Sequence, residues 1–450
     1  MPTSAHFFCV AMWGDAGIAP TISALYARSN YMYENKTEEL PVRTILACVD
    51  TGEFDAEVSI DELEELASTA NAEVVGKVIQ RKQTYDPATC MGAGRLEELK
   101  EQVDALDAEL VIFDHELTGV QVRNIEKILD VRVIDRTTLI LDIFAQRART
   151  KEGKLQVELA QQKYRLPRLI GLGTELSRLG GGIGTRGPGE TKLESDKRHI
   201  RRRITYLESE LAELKKHRDF SRSRRKKDGI LCAAIVGYTN VGKSTLLNAL
   251  TDAGVLAENK LFATLDITSR SIELPDGRSV MLIDTVGLIR RLPHDLVEAF
   301  KSTLEEAAAA DVILNVQDLS SPERQQQAEV TAKLLNELGC GNIPKINVMN
   351  KSDAAIDLDT VFEDDRTVII SARHHGGFDK LLSAIARALP ETARRMQLLV
   401  PYESTALIGR IRQEGKVFSE EYTEKGTLID ALVDIRLVSE TERFSVNKSN

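Results

Sequence analysis

Gly237-Tyr-Thr-Asn-Val-Gly-Lys-Ser-Thr245 follows an apolar run at residues 230–236 and leads into the helix-prone stretch 246–250. A strand, a glycine-rich loop and a helix in that order are the setting a phosphate-binding loop requires. Gly237 and Gly242 let the backbone curl, so that the amides of Tyr238, Thr239, Asn240 and Val241 can turn toward an anion. Lys243 can reach the outer phosphates, the Ser244 hydroxyl can ligate Mg2+, and Thr245 continues into the helix. The pattern implies a nucleoside triphosphate held by an α/β P-loop domain.

About a hundred residues later, an apolar run at 343–349 delivers Asn350-Lys-Ser-Asp353 to a predicted strand end. The Asp353 carboxylate can accept from both N1 and N2 of guanine, whereas adenine leaves it unmatched. Hydrogen bonds to charged groups contribute about 1.5–3 kcal/mol each, so guanine is the expected base. Asn350 is expected to brace the loop, the Lys351 stem to cover the base, and Ser352 to complete the turn. A second predicted strand, 367–370, ends in Ser371-Ala372-Arg373, whose first amides can meet the guanine oxygen.

Between these segments lies Met281-Leu-Ile-Asp284-Thr285-Val286-Gly287, an apolar strand ending in an acid and a glycine. Asp284 is expected in the Mg2+ shell and the Gly287 amide near the terminal phosphate. Upstream, Leu261-Phe262-Ala263-Thr264-Leu265-Asp266 offers the Thr264 hydroxyl as a metal ligand that engages only when the third phosphate is present. Ser244, Thr264 and Asp284 thus form the expected metal set, and the two segments read as switches I and II. After Gly287 stands Leu288, where small signalling GTPases carry a glutamine that orients the attacking water. Leucine cannot do so, and hydrolysis must rest on Lys243, Thr264, Gly287 and a further aid. Asn240 is the candidate for that aid: in several translation-related GTPases an asparagine here helps to hold K+, although a plain loop brace is an equal reading.

At 450 residues, 42% hydrophobic and 28% charged, the chain is long enough for about three domains. Five scattered cysteines, Cys9, Cys48, Cys90, Cys232 and Cys340, lack metal-ligand spacing and suggest a reducing, cytoplasmic setting rather than a disulfide framework. No apolar run reaches the length of about 18 residues that a membrane span needs, and no basic region precedes residues 6–13, so neither a span nor a signal peptide is expected. A monomer is expected. The net charge of -10 hides a local reversal: residues 195–228 hold 13 Lys and Arg against 6 Asp and Glu. Such a run is a solvated helix face or a surface for a phosphate backbone.

Residues 42–153 alternate short apolar strands with helical patterns, which predicts a parallel sheet flanked by helices. The Met91-Gly-Ala-Gly-Arg95 turn before one helix is read as structural, with no second nucleotide site assigned. From 154 to 228 the period changes. Leu193, Ile200, Ile204, Leu207, Leu211 and Leu214 trace a heptad seam, and Leu155, Leu159 and Leu166 can supply an opposing helix. The expected hairpin has its tip between about 171 and 190, with six glycines and a proline from 180 to 189 and with Arg178 and Arg186 flanking them. That loop cannot pack a core, and it suits close approach to RNA. Five regions follow: an extension at 1–41, an α/β domain at 42–153, the hairpin at 154–228, the GTPase domain at 229–392 and a small α+β domain at 393–450.

Three strings carry a family resemblance: Leu155-Gln-Val-Glu-Leu-Ala-Gln161, Leu179-Gly-Gly-Gly-Ile-Gly-Thr-Arg-Gly-Pro-Gly-Glu190 and the P-loop. Together they resemble the HflX family of ribosome-associated GTPases, from about residue 42 to 433, with Ile267 standing where the family often has proline. The resemblance implies binding to the large ribosomal subunit, with the glycine loop near the peptidyl-transferase region. It also implies GTPase stimulation by the ribosome and GTP-dependent splitting or rescue of ribosomes. A second class, a regulatory module whose GTP state recruits a protein, stays open at the level of the residues.

Overall fold

Val42–Asp50 (β1) buries five consecutive side chains, Ile45 to Val49, completely. Burial without alternation requires helices on both faces, the signature of a parallel strand. In the computed structural model, residues 41–169, 188–251, 261–262, 268–291, 306–355 and 363–446 are described, the side chains of 188–193 and 226 excepted. Elements are numbered over those residues. β1 is followed by α1 (Ala56–Thr69), β2 (Ala72–Arg81), α2 (Ala93–Ala105), β3 (Leu110–Phe113), α3 (Gly119–Leu129), β4 (Arg132–Asp135) and α4 (Arg136–Arg147). The strands form one parallel sheet in the order β2-β1-β3-β4, as the alternation predicts. Local signals set the helix ends: Asp55 accepts from the Glu57 and Val58 amides, and Thr118 with Gln121 makes a capping box. The buried Arg136 of this unit is neutralised by Asp114 at 2.8 Å and Glu62 at 2.5 Å.

The chain divides into two compact units, one running to Gln146 with Gln161–Arg201, the other made of Arg147–Ala160 and Arg202–Asn450. Helices α5 (Lys151–Arg168) and α6 (Pro188–Lys227) have parts in both. In the second unit they lie antiparallel, clamped by a bidentate Arg203–Glu158 pair and by Lys151–Glu210 and Arg218–Glu152. Leu159 and Leu207 are buried on these helices, while the Leu193 side chain and residues 170–187, with Arg178 and Arg186, lie outside the described residues.

The second unit centres on a six-stranded sheet ordered β10-β9-β8-β5-β7-β6. It comprises β5 (Leu231–Gly237), β6 (Thr268–Glu273), β7 (Ser279–Asp284), β8 (Val312–Asp318), β9 (Lys345–Asn350) and β10 (Thr367–Ile369), with α7 (Lys243–Thr251), α8 (Arg324–Glu337) and α9 (Phe378–Ala388). Only β6 runs antiparallel. Because β5, β7, β9 and β10 are parallel, the loops that follow them emerge at one edge, where ligands of open α/β sheets bind. A third sheet, antiparallel in the order β11-β13-β12, packs α10 (Thr405–Glu414) and α11 (Ile435–Thr441) over a core that includes Leu398, Ile411, Ile429 and Val433; its strands are β11 (Ala393–Val400), β12 (Lys416–Thr423) and β13 (Gly426–Asp434). Among the described residues, Cys48, Cys90, Cys232 and Cys340 are buried and not joined in disulfides, and no helix is long and apolar enough to cross a membrane.

Candidate nucleotide site

β5 is buried along its whole length and ends at Gly237, where a Cβ would lie 2.2 Å from the Val316 carbonyl oxygen. Glycine is therefore dictated by strand spacing. The loop then turns through Asn240, at φ 62°, and Gly242, at φ 93°, before α7 begins. A Cβ on Gly242 would also stand 2.3 Å from Asn350 Nδ2, so the loop and the β9 end pack without a side chain between them. Val241 is buried beneath this turn, and Ser244 and Thr245 lie in the first turn of α7.

Lys243 is buried, and its ammonium donates to the carbonyls of Gly237 at 3.1 Å and Tyr238 at 2.7 Å. Burial pushes its pKa down to about 8, with the Asp284 carboxylate opposing the shift. A buried cation held by the carbonyls of the loop suits a polyanion. Ser244 Oγ donates to Asp284 Oδ2 at 2.8 Å, and Asp284 is fully buried at the end of β7. A hydroxyl and a single carboxylate are hard oxygen donors that fit Mg2+, an ion that keeps several waters and phosphate oxygens in its shell.

In the segment expected to be switch II, the Thr285 hydroxyl donates to the Ile235 carbonyl at 2.8 Å and Val286 is buried. At Gly287 a Cβ would come within 2.8 Å of Thr239 Cγ2 and 3.1 Å of Lys243 Nζ, so this glycine lies directly on the phosphate loop. Leu288 is buried in an apolar cluster with Val236, Ala307 and Ala310. Its amide donates to the Gly237 carbonyl at 3.1 Å, and its carbonyl accepts from the Thr239 amide at 2.7 Å. A side chain so placed does not face solvent water. Sequence patterns missed this two-bond ladder, and they missed the Arg290 amide donating to the Tyr238 hydroxyl at 2.7 Å. Phe262 is buried at φ 54°, whereas Ala263, Thr264 and Leu265 lie outside the described residues.

On the base side, Asn350 is buried and joins two loops. Its Nδ2 donates to the Val241 carbonyl at 2.8 Å, and its Oδ1 accepts from the Ala372 amide at 2.9 Å. The Ser352 amide donates to the Ile370 carbonyl at 3.2 Å. Ser371 Oγ donates to Asp353 Oδ1 at 2.5 Å. That bond, with the fields of His374 and the exposed Arg373 beside it, holds the Asp353 carboxyl below its ordinary acidity range. Lys351, at φ 63°, anchors its ammonium 2.7 Å from Asp318 Oδ2, a partner with no sequence signal. The phosphate loop, residues 284–288, Asn350 and Ala372 are thus joined by direct contacts at the ends of β5, β7, β9 and β10.

Family models match residues 57–145 as "GTP-binding GTPase N-terminal", 147–225 as "GTP-binding GTPase Middle Region" and 232–351 as "50S ribosome-binding GTPase". The "GTPase HflX" of Caldanaerobacter subterraneus subsp. tengcongensis is 53% identical over 406 residues, 90% of this chain and 94% of that protein. The chain belongs to the GTPase HflX family. The Escherichia coli GTPase HflX is 42% identical over 374 residues, 82% of this chain and 88% of its own length. A solved structure described as a complex of SsGBP and GDP covers 77% of this chain and 98% of its own, at 26% identity and a TM-score of 0.46. As an HflX GTPase the chain binds and hydrolyses GTP, and the middle-region match spans the α5–α6 hairpin.

Proposed function

We propose that this GTPase binds the large ribosomal subunit through its α5–α6 hairpin and glycine loop, and uses its GTP state to split or rescue ribosomes. The observation that carries the reading is α6, forty residues and thus about 60 Å of helix, with Arg198, Arg201, Arg202 and Arg224 exposed along it. Exposed arginines on so long a helix suit a phosphate backbone better than a compact protein partner. The family model described as a 50S ribosome-binding GTPase supports the same partner. The reading includes a monomeric protein working in the cytoplasm.

In this reading, Lys243 neutralises the outer phosphates while the amides of 238–242 hold the remaining oxygens. Ser244, Asp284 and Thr264 would hold Mg2+, which would supply charge neutralisation to the phosphates. The Gly287 amide engages the terminal phosphate, and Asp353 with Ala372 reads the guanine edge. Leu288 is buried, so the site is slow until the ribosome or an Asn240-held K+ adds transition-state stabilisation, for which an arginine finger gives the scale of roughly 10^3 to 10^5. GTP turnover with and without purified large subunits tests the reading, together with pelleting in a non-hydrolysable analogue. Stimulation and pelleting are expected. Absence of both would leave only a GTP-dependent binding module, and equal stimulated rates in K+ and Na+ would remove the potassium role.

A further inference from the structure

Arg222 and Arg225 sit in the basic run of α6, yet neither faces solvent alone. Arg222 Nε donates to Glu306 Oε1 at 2.9 Å, and the Arg225 guanidinium lies 3.1 Å from Glu306 Oε2. Glu306 is buried, with only 5% of its surface exposed, so one carboxylate in the protein interior holds two cations of one helix face. Arg225 also approaches Met281 Sδ at 3.6 Å, on the strand that ends at Asp284. Next to Glu306, Ala307 packs in the same apolar cluster as Leu288. Leu288 in turn holds the phosphate loop through its two backbone bonds to Gly237 and Thr239. Three steps thus lead from α6 to the phosphate loop: the Glu306 ion pairs, the apolar cluster that holds both Ala307 and Leu288, and the Leu288 ladder.

Removing either side of a buried ion pair leaves an uncompensated charge in the interior. A shift of α6 must therefore carry Glu306 with it, and the close-packed alanines transmit the displacement because the layer has no slack. We propose that Glu306 is the positioning residue through which the hairpin, seated on its partner, adjusts Leu288 and Gly287 against the phosphate loop and so sets the rate of GTP hydrolysis. The proposal rests on the ribosome-binding reading above and assigns its regulation to named side chains.

The test uses the full chain. GTP turnover is measured alone and with saturating large subunits, and pelleting in a non-hydrolysable analogue, for the native protein, Glu306→Gln and Arg222→Gln/Arg225→Gln. Unstimulated turnover and pelleting should be unchanged in each variant, while the stimulation factor falls about tenfold. The triple variant should lose no more than either parent, since all three residues act as one unit. If the native protein is neither stimulated nor pelleted, the ribosome reading itself fails. If the native protein is stimulated and Glu306→Gln equally so, Glu306 has no positioning role. Parallel loss of unstimulated turnover would mean that the pair merely supports the fold, which also overturns the proposal. Should Glu306→Gln fail to fold, Arg225→Lys keeps the charge and shortens the reach; it should lower stimulation roughly threefold with unstimulated turnover intact, and full stimulation in it would overturn the proposal.

Discussion

Asn350 Nδ2 donates to the Val241 carbonyl at 2.8 Å across 109 residues of sequence, so the end of β9 directly supports the phosphate loop. With the Ala372 amide donating to its Oδ1, one buried side chain ties the 371–373 loop and the 237–243 loop together. Asn350→Ala leaves two buried backbone groups unmatched and should destabilise the second unit by about 2–4 kcal/mol. Nucleotide affinity should fall at least about tenfold, since the loops lose their common support. Thermal unfolding with and without GDP checks both, and an unchanged melting temperature would show that the brace is dispensable.

Gly287 and Gly94 make a contrasting pair. A methyl group at 287 meets the Thr239 Cα at 3.1 Å, and backbone yields only by moving the phosphate loop. Gly287→Ala should therefore depress GTP turnover by roughly tenfold to a hundredfold, following an overpacking penalty of about 1–3 kcal/mol. At Gly94, inside α2, a methyl group finds open space within 4 Å. Gly94→Ala should raise stability by about 0.4–1 kcal/mol and leave turnover alone. Turnover and melting curves on the two proteins decide the matter; a turnover defect in Gly94→Ala would mean that the 91–95 turn is more than structural.

The phosphate loop was legible because its glycines are demanded by local geometry, and the first sheet because uninterrupted apolar runs alternate with helical periods. Of the predicted hairpin stripe, Leu207 and Leu159 are buried, whereas Ile200, Ile204, Leu211 and Leu214 are only half-buried. Charge pairing was not legible. Arg222 and Arg225 stand 84 and 81 residues from Glu306, and in sequence they merge with a basic run that looks uniformly solvated. The same holds for Lys351 with Asp318, because an ion pair between distant segments depends on how strands are ordered rather than on any spacing. That order is nonlocal: β5 neighbours β7 and β8, not β6.

Arg278 gives a prediction outside the nucleotide site. In the turn between β6 and β7 its guanidinium donates to the Pro390 carbonyl at 2.6 Å and the Ala386 carbonyl at 2.5 Å, while Asp276 lies 2.7 Å away. The side chain thus caps the C-terminal end of α9 and supports the entry to β11. Beside it, a Cβ on Gly277 would come within 2.7 Å of Phe418 Cζ. Arg278→Ala should cost about 1–3 kcal/mol, since it removes a donor from the half-buried Ala386 residue, from the exposed Pro390 and from Asp276. Limited proteolysis should then cut first near residues 389–392; cleavage unchanged in site and rate would refute the capping role.

The depressed pKa of Lys243 has a definite pH signature. Its folded value, about 8, lies below the ordinary lysine value of 10.5, so the unfolded chain binds more protons between them. The nucleotide-free protein therefore gains stability from this group as pH rises through that window. Phosphate beside the ammonium favours the charged form, so nucleotide binding takes up a proton above pH 8 and the affinity should fall as pH rises, by up to about tenfold per unit. Titration of GDP between pH 7 and 8.5, below the range where guanine loses its own N1 proton, measures the slope. A flat profile would mean that Lys243 stays fully charged without nucleotide.

The proposed role of Asp353 is to select the base. Its carboxylate, held by Ser371 Oγ at 2.5 Å and depressed in pKa, is charged at neutral pH and offers only acceptors. Guanine presents two donors to it, at N1 and N2, whereas xanthine presents a donor at N1 and an acceptor at the 2-position. Asp353→Asn exchanges one acceptor for a donor at nearly constant volume, so the mismatch moves from xanthine to guanine. Each charged hydrogen bond lost is worth about 1.5–3 kcal/mol, so GTP affinity should fall roughly tenfold to a hundredfold while XTP affinity rises. Competition between the two nucleotides for the variant measures the exchange directly. Retained GTP preference would place the reading of the base on other groups, with the Ala372 amide the first to examine.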